Sequence, residues 1–230
     1  MTIFRGFLIF CLVLIGIQLA LWRGWLDVPP RWNPWALLDI RETPNLLTGF
    51  KLWRLQDDPL LCQQALSRSS LRFTALADSR SDVACPLNNT LRVHRAGVAF
   101  SSSFIASCPL AAAFALFERH DLQPAAQALF GQRVARVEHV GSFACRTIAG
   151  SQRRSQHAAA NALDIIGFRL ADGRRISVLQ DWSKPGKNAE FLRQAQQGAC
   201  RRFNTTLGPA YNAAHRDHFH VDMGRWRMCR

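Results

Sequence analysis

Two short stretches of the sequence concentrate the side chains that could bind a metal or transfer a proton. The first runs from Ser155 to Asp164 and holds His157 seven residues before Asp164. The second runs from His215 to Asp222 and holds three of the seven histidines of the chain, with two carboxylates. Imidazole and carboxylate groups bind divalent metals and act as general acids and bases. These stretches therefore contain the candidate functional residues.

A zinc site is the chemistry that fits this set of side chains. Two imidazoles and one carboxylate make the open zinc site of hydrolases, in which a fourth position is left for water. A nearby carboxylate can then take a proton as the activated water attacks a carbonyl. Each stretch alone also has a simpler interpretation. His157 could be a hydrogen-bonded structural residue, and residues 215–220 could form a patch of surface histidines.

Both stretches resemble known zinc peptidases. The first is similar to the S-x-H-x-x-G-x-A-x-D signature of the D-alanyl-D-alanine carboxypeptidase and dipeptidase group, and the second to their terminal acid-x-x-His or His-x-His element. A closer resemblance, over roughly residues 60–229, is to the bacterial extensin-like C-terminal domain family. It rests on residues 141–146, 155–167, 172–174, 181–182 and 207–223.

The resemblance implies a set of zinc ligands and a general base. The ligands it implies are His157, Asp164 and His220, with one zinc ion per chain. Asp217, three residues before the last ligand, takes the place of the general base. Dipeptidase-type enzymes carry Glu there, so this carboxylate is one methylene shorter than theirs.

Three further residues take implied roles in the same site. Arg146 matches the arginine that stabilises the scissile carbonyl or holds a substrate carboxylate, to which a guanidinium's planar fork is suited. His218 shares a strand face with His220 and assists catalysis, and Ser155 supports the first ligand. Ala160 stands where the signature usually has Gly, which predicts a negative φ at that position.

The elements that must position these residues follow from local patterns. A β-hairpin is predicted over residues 162–182, because Ile166, Phe168 and Leu170 alternate before an Asp172-Gly173 turn. Ser107 and Pro109 are typical of a helix start. The pattern also predicts helices over residues 110–120, 124–130 and 188–202, and strands over residues 133–140 and 218–223.

This mixture of helices and hairpins predicts an α+β fold with an antiparallel sheet flanked by helices. The resemblance implies the zinc D-Ala-D-Ala peptidase-like version of that fold. The domain follows a segment, residues 23–59, that is rich in Pro and Trp and is predicted to be a juxtamembrane linker. Alternatively, that segment is a loop that packs its Trp side chains on the domain. The folded domain is predicted to cover residues 60–230.

The N-terminus predicts a membrane segment. Residues 6–22 carry no charge. The length of this uncharged stretch is at the short end of what a helix needs to span a bilayer. Arg5 precedes the segment and favours a cytoplasmic location for residues 1–5, so the rest of the chain is exported. There are two alternatives. A cleavable signal peptide is disfavoured because the segment is followed by a poor cleavage site. A buried core helix of a soluble protein is disfavoured because the segment lacks a polar face.

Cysteine usage agrees with export. Apart from Cys11 in the apolar segment, the chain has six cysteines, and an even number in an oxidising compartment predicts up to three disulfides. No two of them have the C-x-x-C spacing of zinc fingers. The pairing stays open among 15 possible connectivities. The six candidates are Cys62, Cys85, Cys108, Cys145, Cys200 and Cys229.

Charge narrows the class of partner. The 29 Lys and Arg residues exceed the 16 Asp and Glu residues, which gives a net charge of +13 and suits nucleic acid, anionic lipid or an anionic wall polymer. A nucleic-acid partner is not expected, since no binding motif is recognisable and the domain is exported. We therefore expect a single-pass protein of the bacterial inner membrane whose periplasmic zinc metallopeptidase-like domain acts on peptidoglycan peptides. The alternative is a zinc-containing, catalytically inactive peptidoglycan-binding or scaffold domain.

Overall fold

The computed structural model describes residues 2–80 and 82–230, within which seven α-helices and ten strands form. The helices are α1 (Thr2–Trp22), α2 (Thr48–Arg54), α3 (Pro59–Ser67), α4 (Cys108–Phe117), α5 (Gln123–Phe130), α6 (Val178–Asp181) and α7 (Lys187–Arg202). The strands are β1 (Arg72–Ala75), β2 (Thr90–Arg95), β3 (Ala99–Phe100), β4 (Phe104–Ser107), β5 (Val134–His139), β6 (Ala162–Leu170), β7 (Arg175–Ser177), β8 (Thr205–Leu207), β9 (Phe219–Asp222) and β10 (Met228–Cys229). The chain is therefore mixed α+β, as predicted.

Helix α1 covers the apolar N-terminal segment without interruption. From Phe4 to Trp22 it is long and apolar enough to cross a membrane, and none of that stretch is buried inside the structure. A helix that is apolar on all sides and unpacked needs an apolar surrounding other than the protein core. These features fit a membrane span or a signal sequence.

The segment predicted to be a linker adds side chains to the hydrophobic core. Residues 38–55 pack on α4 through α2, and the ring of Trp35 meets the edge of Phe50 at 5.5 Å. Four of their apolar side chains are buried, namely Leu38, Ile40, Leu52 and Leu55. Burial of this size means that the domain and the later part of the segment share one core.

Helix α4 starts where its sequence signals predict. The Ser107 hydroxyl accepts a hydrogen bond from the N–H of Leu110, and Pro109 occupies the first turn. The two helices predicted over residues 110–120 and 124–130 are joined in one run, because a π-helical turn (Glu118–Leu122) links α4 to α5. This turn buries Asp121.

Buried Asp121 holds α7 against this helical run. Its carboxylate accepts hydrogen bonds from Arg201, at 2.8 and 3.0 Å, and from Arg202. Its side chain is 2% exposed, so the two guanidiniums provide the counter-charge that a buried carboxylate needs. Gly198 is required at the crossing, because a Cβ there would lie 2.6 Å from Asp121 Cβ.

The main sheet is mixed rather than antiparallel throughout. Its strand order is β10-β8-β9-β6-β5-β3, and β7 also pairs with β6. The central pairs are antiparallel as predicted, whereas β3 with β5 and β10 with β8 are parallel. The antiparallel prediction is wrong at these two edges. The positions of β3 and β10 depend on contacts between segments that are distant in the sequence, and local patterns do not encode such contacts. A smaller antiparallel sheet has the order β1-β2-β4.

The pairing of β5 with β6 has two irregularities, one of which leaves a residue of β6 unpaired. Glu138 pairs with Gly167 and His139 with Ile165, so Ile166 has no partner of its own and forms a β-bulge. The alternation changes face at the bulge. The prediction that Ile166 shares the core face of Phe168 and Leu170 is wrong, and the residues buried on the core side are Leu163, Ile165, Phe168 and Leu170.

The predicted hairpin is shorter than expected. Its turn forms as predicted, with Gly173 at φ +89° and the Asp172 carboxylate accepting the N–H of Arg174 at 2.9 Å. The second arm, however, ends at Ser177, whose hydroxyl caps α6 by accepting the N–H of Gln180. A capping serine starts a helix here in place of a longer strand.

Six cysteines form three disulfides, so the prediction of up to three bridges is confirmed. One bridge joins α3 to α4, one joins the loop after β1 to the segment before the first functional stretch, and one joins α7 to β10. The pairs are Cys62–Cys108, Cys85–Cys145 and Cys200–Cys229. Cys11 in α1 is free.

Candidate metal centre

The three residues implied as zinc ligands come from adjacent elements. His157 lies on a short 3-10 helix (Gln156–Ala159) that leads into β6, and Asp164 lies on β6 itself. His220 lies on β9 directly opposite Asp164 in the antiparallel pairing. Paired residues of neighbouring strands project to the same face, so the sheet register itself brings the carboxylate and the imidazole together.

The ligand atoms converge on one point. His157 Nε2 lies 3.2 Å from Asp164 Oδ2 and 3.2 Å from His220 Nδ1. His220 Nδ1 lies 2.9 Å from Asp164 Oδ1. All three groups offer one ligand atom within 4.8 Å of the others. The structure therefore places together the three side chains that the resemblance implied as ligands.

The outer nitrogen of each imidazole is already hydrogen-bonded. His157 Nδ1 donates to the Ser142 carbonyl at 3.1 Å, and His220 Nε2 donates to Asp222 Oδ2 at 3.0 Å. A donor at the outer nitrogen directs the inner one, His157 Nε2 or His220 Nδ1, toward the centre as a potential ligand. Two oriented imidazoles and one carboxylate are the donor set of an open zinc site, so these residues fit the metal that the family resemblance implies.

The electrostatics of the centre favour a cation between its groups. Burial alone would lower the pKa of His220, but hydrogen bonds to Asp164 and Asp222 outweigh burial and raise it to about 9. Burial alone would raise the pKa of Asp164, but hydrogen bonds with His157 and His220 hold it well below its ordinary range. A metal ion would take the place of the proton that His220 otherwise carries.

Asp217 reaches this centre only through His218. His218 Nδ1 donates to Asp217 Oδ1 at 2.8 Å, and its Nε2 lies 3.7 Å from Asp164 Oδ1. That hydrogen bond lowers the pKa of the half-exposed Asp217 carboxyl. The carboxylate therefore stays ionised and fixes which nitrogen of His218 faces the ligands.

Two aromatic side chains continue the rim of the site beyond His218. The ring of His215 lies 5.2 Å from that of His218 and 5.4 Å from that of Tyr211. Burial, with the neighbouring imidazoles His218 and His220, lowers the pKa of His215 to about 4. His215 is thus neutral at neutral pH, with Nδ1 held 2.7 Å from Asn212 Oδ1.

The backbone of Arg146 is hydrogen-bonded to the segment that carries His157. Its carbonyl accepts the N–H of Ser155 at 3.1 Å, and Ala144 N–H donates to the His157 carbonyl at 3.1 Å. The Cys85–Cys145 disulfide fixes this segment one residue away. The Arg146 side chain is exposed and forms no ion pair with any residue in the described ranges.

Comparison with known families identifies the domain that carries these residues. A family model described as "Extensin-like protein C-terminus" matches residues 60–230 of the chain. The chain belongs to this family. The match spans every residue of the metal centre and all six bridged cysteines of the extensin-like domain. Searches of the curated proteins and of the solved structures gave no match.

The extensin-like domain carries an unusual backbone conformation between its first two candidate ligands. Ala160 has φ +51°, so the negative φ predicted from the absence of Gly is wrong. The conformation persists because Ala160 ends the 3-10 helix: its N–H bonds to the His157 carbonyl and its own carbonyl accepts Ser107 N–H at 2.8 Å. These contacts offset the cost of a left-handed alanine, about 1–2 kcal/mol.

Two positioning residues of the extensin-like domain had no role in the sequence-based site. Asp222 carried a signal, because it alternates in the sequence with His218 and His220; on β9, which begins after His218, it shares the face of His220. Ser142 acts through its backbone carbonyl. Every residue has such a group, so the residue type at this position gave no signal. Ser155 lies where expected, and its hydroxyl accepts the His157 N–H at 3.3 Å.

Proposed function

We propose that the extensin-like domain is a zinc metallopeptidase that acts on peptidoglycan peptides. The observation that carries this proposal is the convergence of His157 Nε2, His220 Nδ1 and the Asp164 carboxylate. Sheet register and outer-nitrogen hydrogen bonds set this geometry. A preorganised three-ligand centre that leaves one position open is the arrangement that zinc hydrolases use. The zinc D-Ala-D-Ala peptidase-like version of the fold is part of the same proposal.

Each residue has a defined task in this mechanism. His157, Asp164 and His220 would hold the ion, while Ser142 and Asp222 keep the two rings oriented. Zinc, when bound, would polarise the scissile carbonyl and lower the pKa of a water molecule for attack. These residues bind and orient, so a different group must accept the proton.

The Asp217–His218 pair is suited to take that proton. Because His218 Nδ1 donates to Asp217, its Nε2 carries the lone pair and faces Asp164. Asp217 then stabilises the imidazolium that forms, so that its shorter side chain need not reach the attacking water. This assignment modifies the prediction that Asp217 acts directly, and both versions require Asp217.

The substrate class follows from charge and from the family resemblance. Stem peptides of peptidoglycan carry carboxylates, and exposed Arg146 lies next to the ligand segment without a counter-ion among the described residues. A guanidinium binds a carboxylate with two parallel hydrogen bonds. The net charge of +13 favours accumulation on this anionic polymer.

Location outside the cytoplasm is part of the proposal. Helix α1 would cross the inner membrane of a bacterium once, with Arg5 inside and the disulfide-bonded domain in the periplasm. A periplasm-active reporter fused after Pro59 should be active, and the mature protein should keep its N-terminus. Activity of a cytoplasm-specific reporter at that junction would contradict export.

The decisive experiment incubates the full-length, detergent-purified protein with isolated muropeptides, with zinc or with a chelator. We expect new fragments by mass spectrometry with zinc only. Asp217→Asn should lower hydrolysis by ~10²–10⁴ with full zinc content, since it removes the charge that supports proton acceptance. Asp57→Asn, at an exposed residue remote from the site in sequence, is the matched control.

A wall-binding domain without turnover is the second candidate. The observation that favours it is the Asp217 carboxylate, which is half exposed and bound to His218 rather than to the centre. Muropeptides left intact by the zinc-loaded wild type would reject the peptidase. Co-sedimentation with insoluble peptidoglycan, reversed by salt, would then support binding through exposed charges.

A further inference from the structure

A cleft lies on the side of the domain that meets the N-terminal segment. It has a volume of about 350 Å³, within the range of about 300–1,000 Å³ typical of small-ligand sites. One wall comes from residues 45–56 and the other from the end of α7 and the C-terminal segment. We call it the arginine–tryptophan cleft, after lining residues Trp53, Arg201, Arg202 and Arg227.

The two walls differ in chemistry. Leu46 is 96% exposed and Trp53 is 62% exposed, so one wall presents two large apolar side chains to solvent. The opposite wall carries Arg201, Arg202 and Arg227, and no acidic side chain of the described residues lines the cleft. Asp121 is the one carboxylate that the structure pairs with the first two arginines. The cleft is therefore amphipathic and positively charged.

Chain continuity keeps the apolar wall near the end of α1. Lys51 Nζ donates to the Pro30 carbonyl at 2.7 Å, and Asn45 Nδ2 donates to the Arg31 carbonyl at 2.8 Å. Pro30 follows Trp22, the last residue of α1, by eight positions, which span at most about 28 Å when fully extended. The wall thus stays within reach of any membrane that α1 crosses.

The intervening residues suit the membrane surface. Trp25 is 72% exposed and Trp32 is 50% exposed, and Arg31 lies 5.1 Å from the centre of the Trp32 ring. Trp and Arg side chains concentrate at the headgroup level of bilayers, where one part is apolar and the other is hydrated. These residues would hold the cleft at the same level as the lipid phosphates.

We propose that the arginine–tryptophan cleft binds the headgroup of an anionic phospholipid of the membrane that α1 crosses. The guanidinium of Arg227 contacts the phosphate, for which a planar forked donor is suited, and Arg201, whose Nε and Nη2 bind Asp121, adds positive charge beside it. Leu46 and Trp53 cover the glycerol and the first carbons of the acyl chains. A bound lipid would fix the domain against the membrane, independently of the proposed peptidase activity.

The test uses the full chain in a neutral detergent, with phosphatidylglycerol or phosphatidylcholine titrated in and bound lipid counted by native mass spectrometry. We expect phosphatidylglycerol to bind at least about tenfold more tightly. Arg227→Gln should weaken it about tenfold, whereas Arg136→Gln, the same charge change on the exposed side of β5, should not. Lipid around α1 is common to all variants, so their comparison isolates the cleft.

A second variant and a competitor separate a lipid from a simple anion. Leu46→Ser, at an almost fully exposed residue, should weaken phosphatidylglycerol binding without lowering the unfolding temperature. Millimolar inorganic phosphate should not displace the lipid. Equal affinity for both lipids, unchanged binding in Arg227→Gln, or displacement by inorganic phosphate would each overturn the proposal. Zinc content should be the same in all these variants, so failure here leaves the peptidase proposal untouched.

Discussion

Asp222 lies two residues beyond His220 on the same strand and accepts a 3.0 Å hydrogen bond from His220 Nε2. Its other oxygen accepts the Gly224 N–H at 2.7 Å, so the side chain is fixed at both ends. It is 8% exposed. The carboxylate therefore orients the imidazole of His220, the third candidate ligand.

Asp222→Asn should lower zinc affinity by about 10–100-fold, the usual loss when the partner of a ligating histidine changes. The amide keeps the size of the side chain but loses its charge, so it supports His220 less well. Competition with a chromophoric chelator measures the affinity, with Asp57→Asn as the control. Equal affinities of the Asp222 variant and the wild type would show that this contact does not tune the centre.

Replacing His157, Asp164 or His220 by Ala should remove most of the zinc, because two remaining protein ligands leave an incomplete site. Metal content after dialysis measures this. His215→Ala and His218→Ala are the matched histidine controls and should retain zinc. A full complement of metal in any of the first three variants would show that the residue is not a ligand.

The metal-free protein should lose stability toward alkaline pH. His220 has a folded-state pKa of about 9 against an ordinary 6.5, so its contribution is complete below pH 6.5 and is lost as the pH rises through 9. The pKa of Asp164 is lowered from 3.8, so its contribution holds above that value and is lost as the pH falls. Unfolding of chelator-treated protein between pH 2 and 10 should show both slopes, and His220→Gln should lack the alkaline one.

The same pKa predicts how zinc binding depends on pH. Because the metal must displace the proton of His220, affinity should rise by about tenfold per pH unit up to about pH 9. Chelator competition at several pH values measures this slope. A flat profile between pH 6 and 8 would show that His220 is not protonated in the metal-free centre.

Removal of the Cys200–Cys229 bridge by a double Ser substitution should cost about 3–4 kcal/mol of unfolding free energy, for a sequence separation of 29 residues. Urea unfolding checks this, with Cys11→Ser as the control without a bridge. Alkylation of the denatured, unreduced protein should label one thiol per chain, Cys11. Labelling of seven thiols would contradict the three bridges.

Local patterns predicted the elements that carry the site. Helix α7 and strand β9 agree with the predicted residues 188–202 and 218–223 to within a residue at each end, because alternation and periodicity dictate them. That His157 and Asp164 lie near His220 came from the resemblance. The β6–β9 pairing that brings them together is a long-range contact, which no local pattern contains.

The remaining features depend on tertiary packing. The π-helical turn (Glu118–Leu122) is compatible with the same apolar pattern as two separate helices, and it forms where buried Asp121 meets the arginines of α7. The disulfide pairing and the parallel edge strands depend on which segments, distant in the sequence, lie next to each other in the fold. Positive φ at Ala160 likewise reflects contacts with Ser107 and His157 rather than the preference of alanine.

The bulge at Ile166 sets a limit on insertions and deletions in this domain. Asp164 and Phe168 are four positions apart, so in a regular strand both would face the same side, yet one belongs to the candidate metal centre and the other is fully buried. Deleting one residue at the bulge would force a choice between a carboxylate in the apolar core and a phenylalanine in water. Loop lengths elsewhere can vary in redesigned versions, but this strand must keep its residue count for the domain to retain both its core and its site.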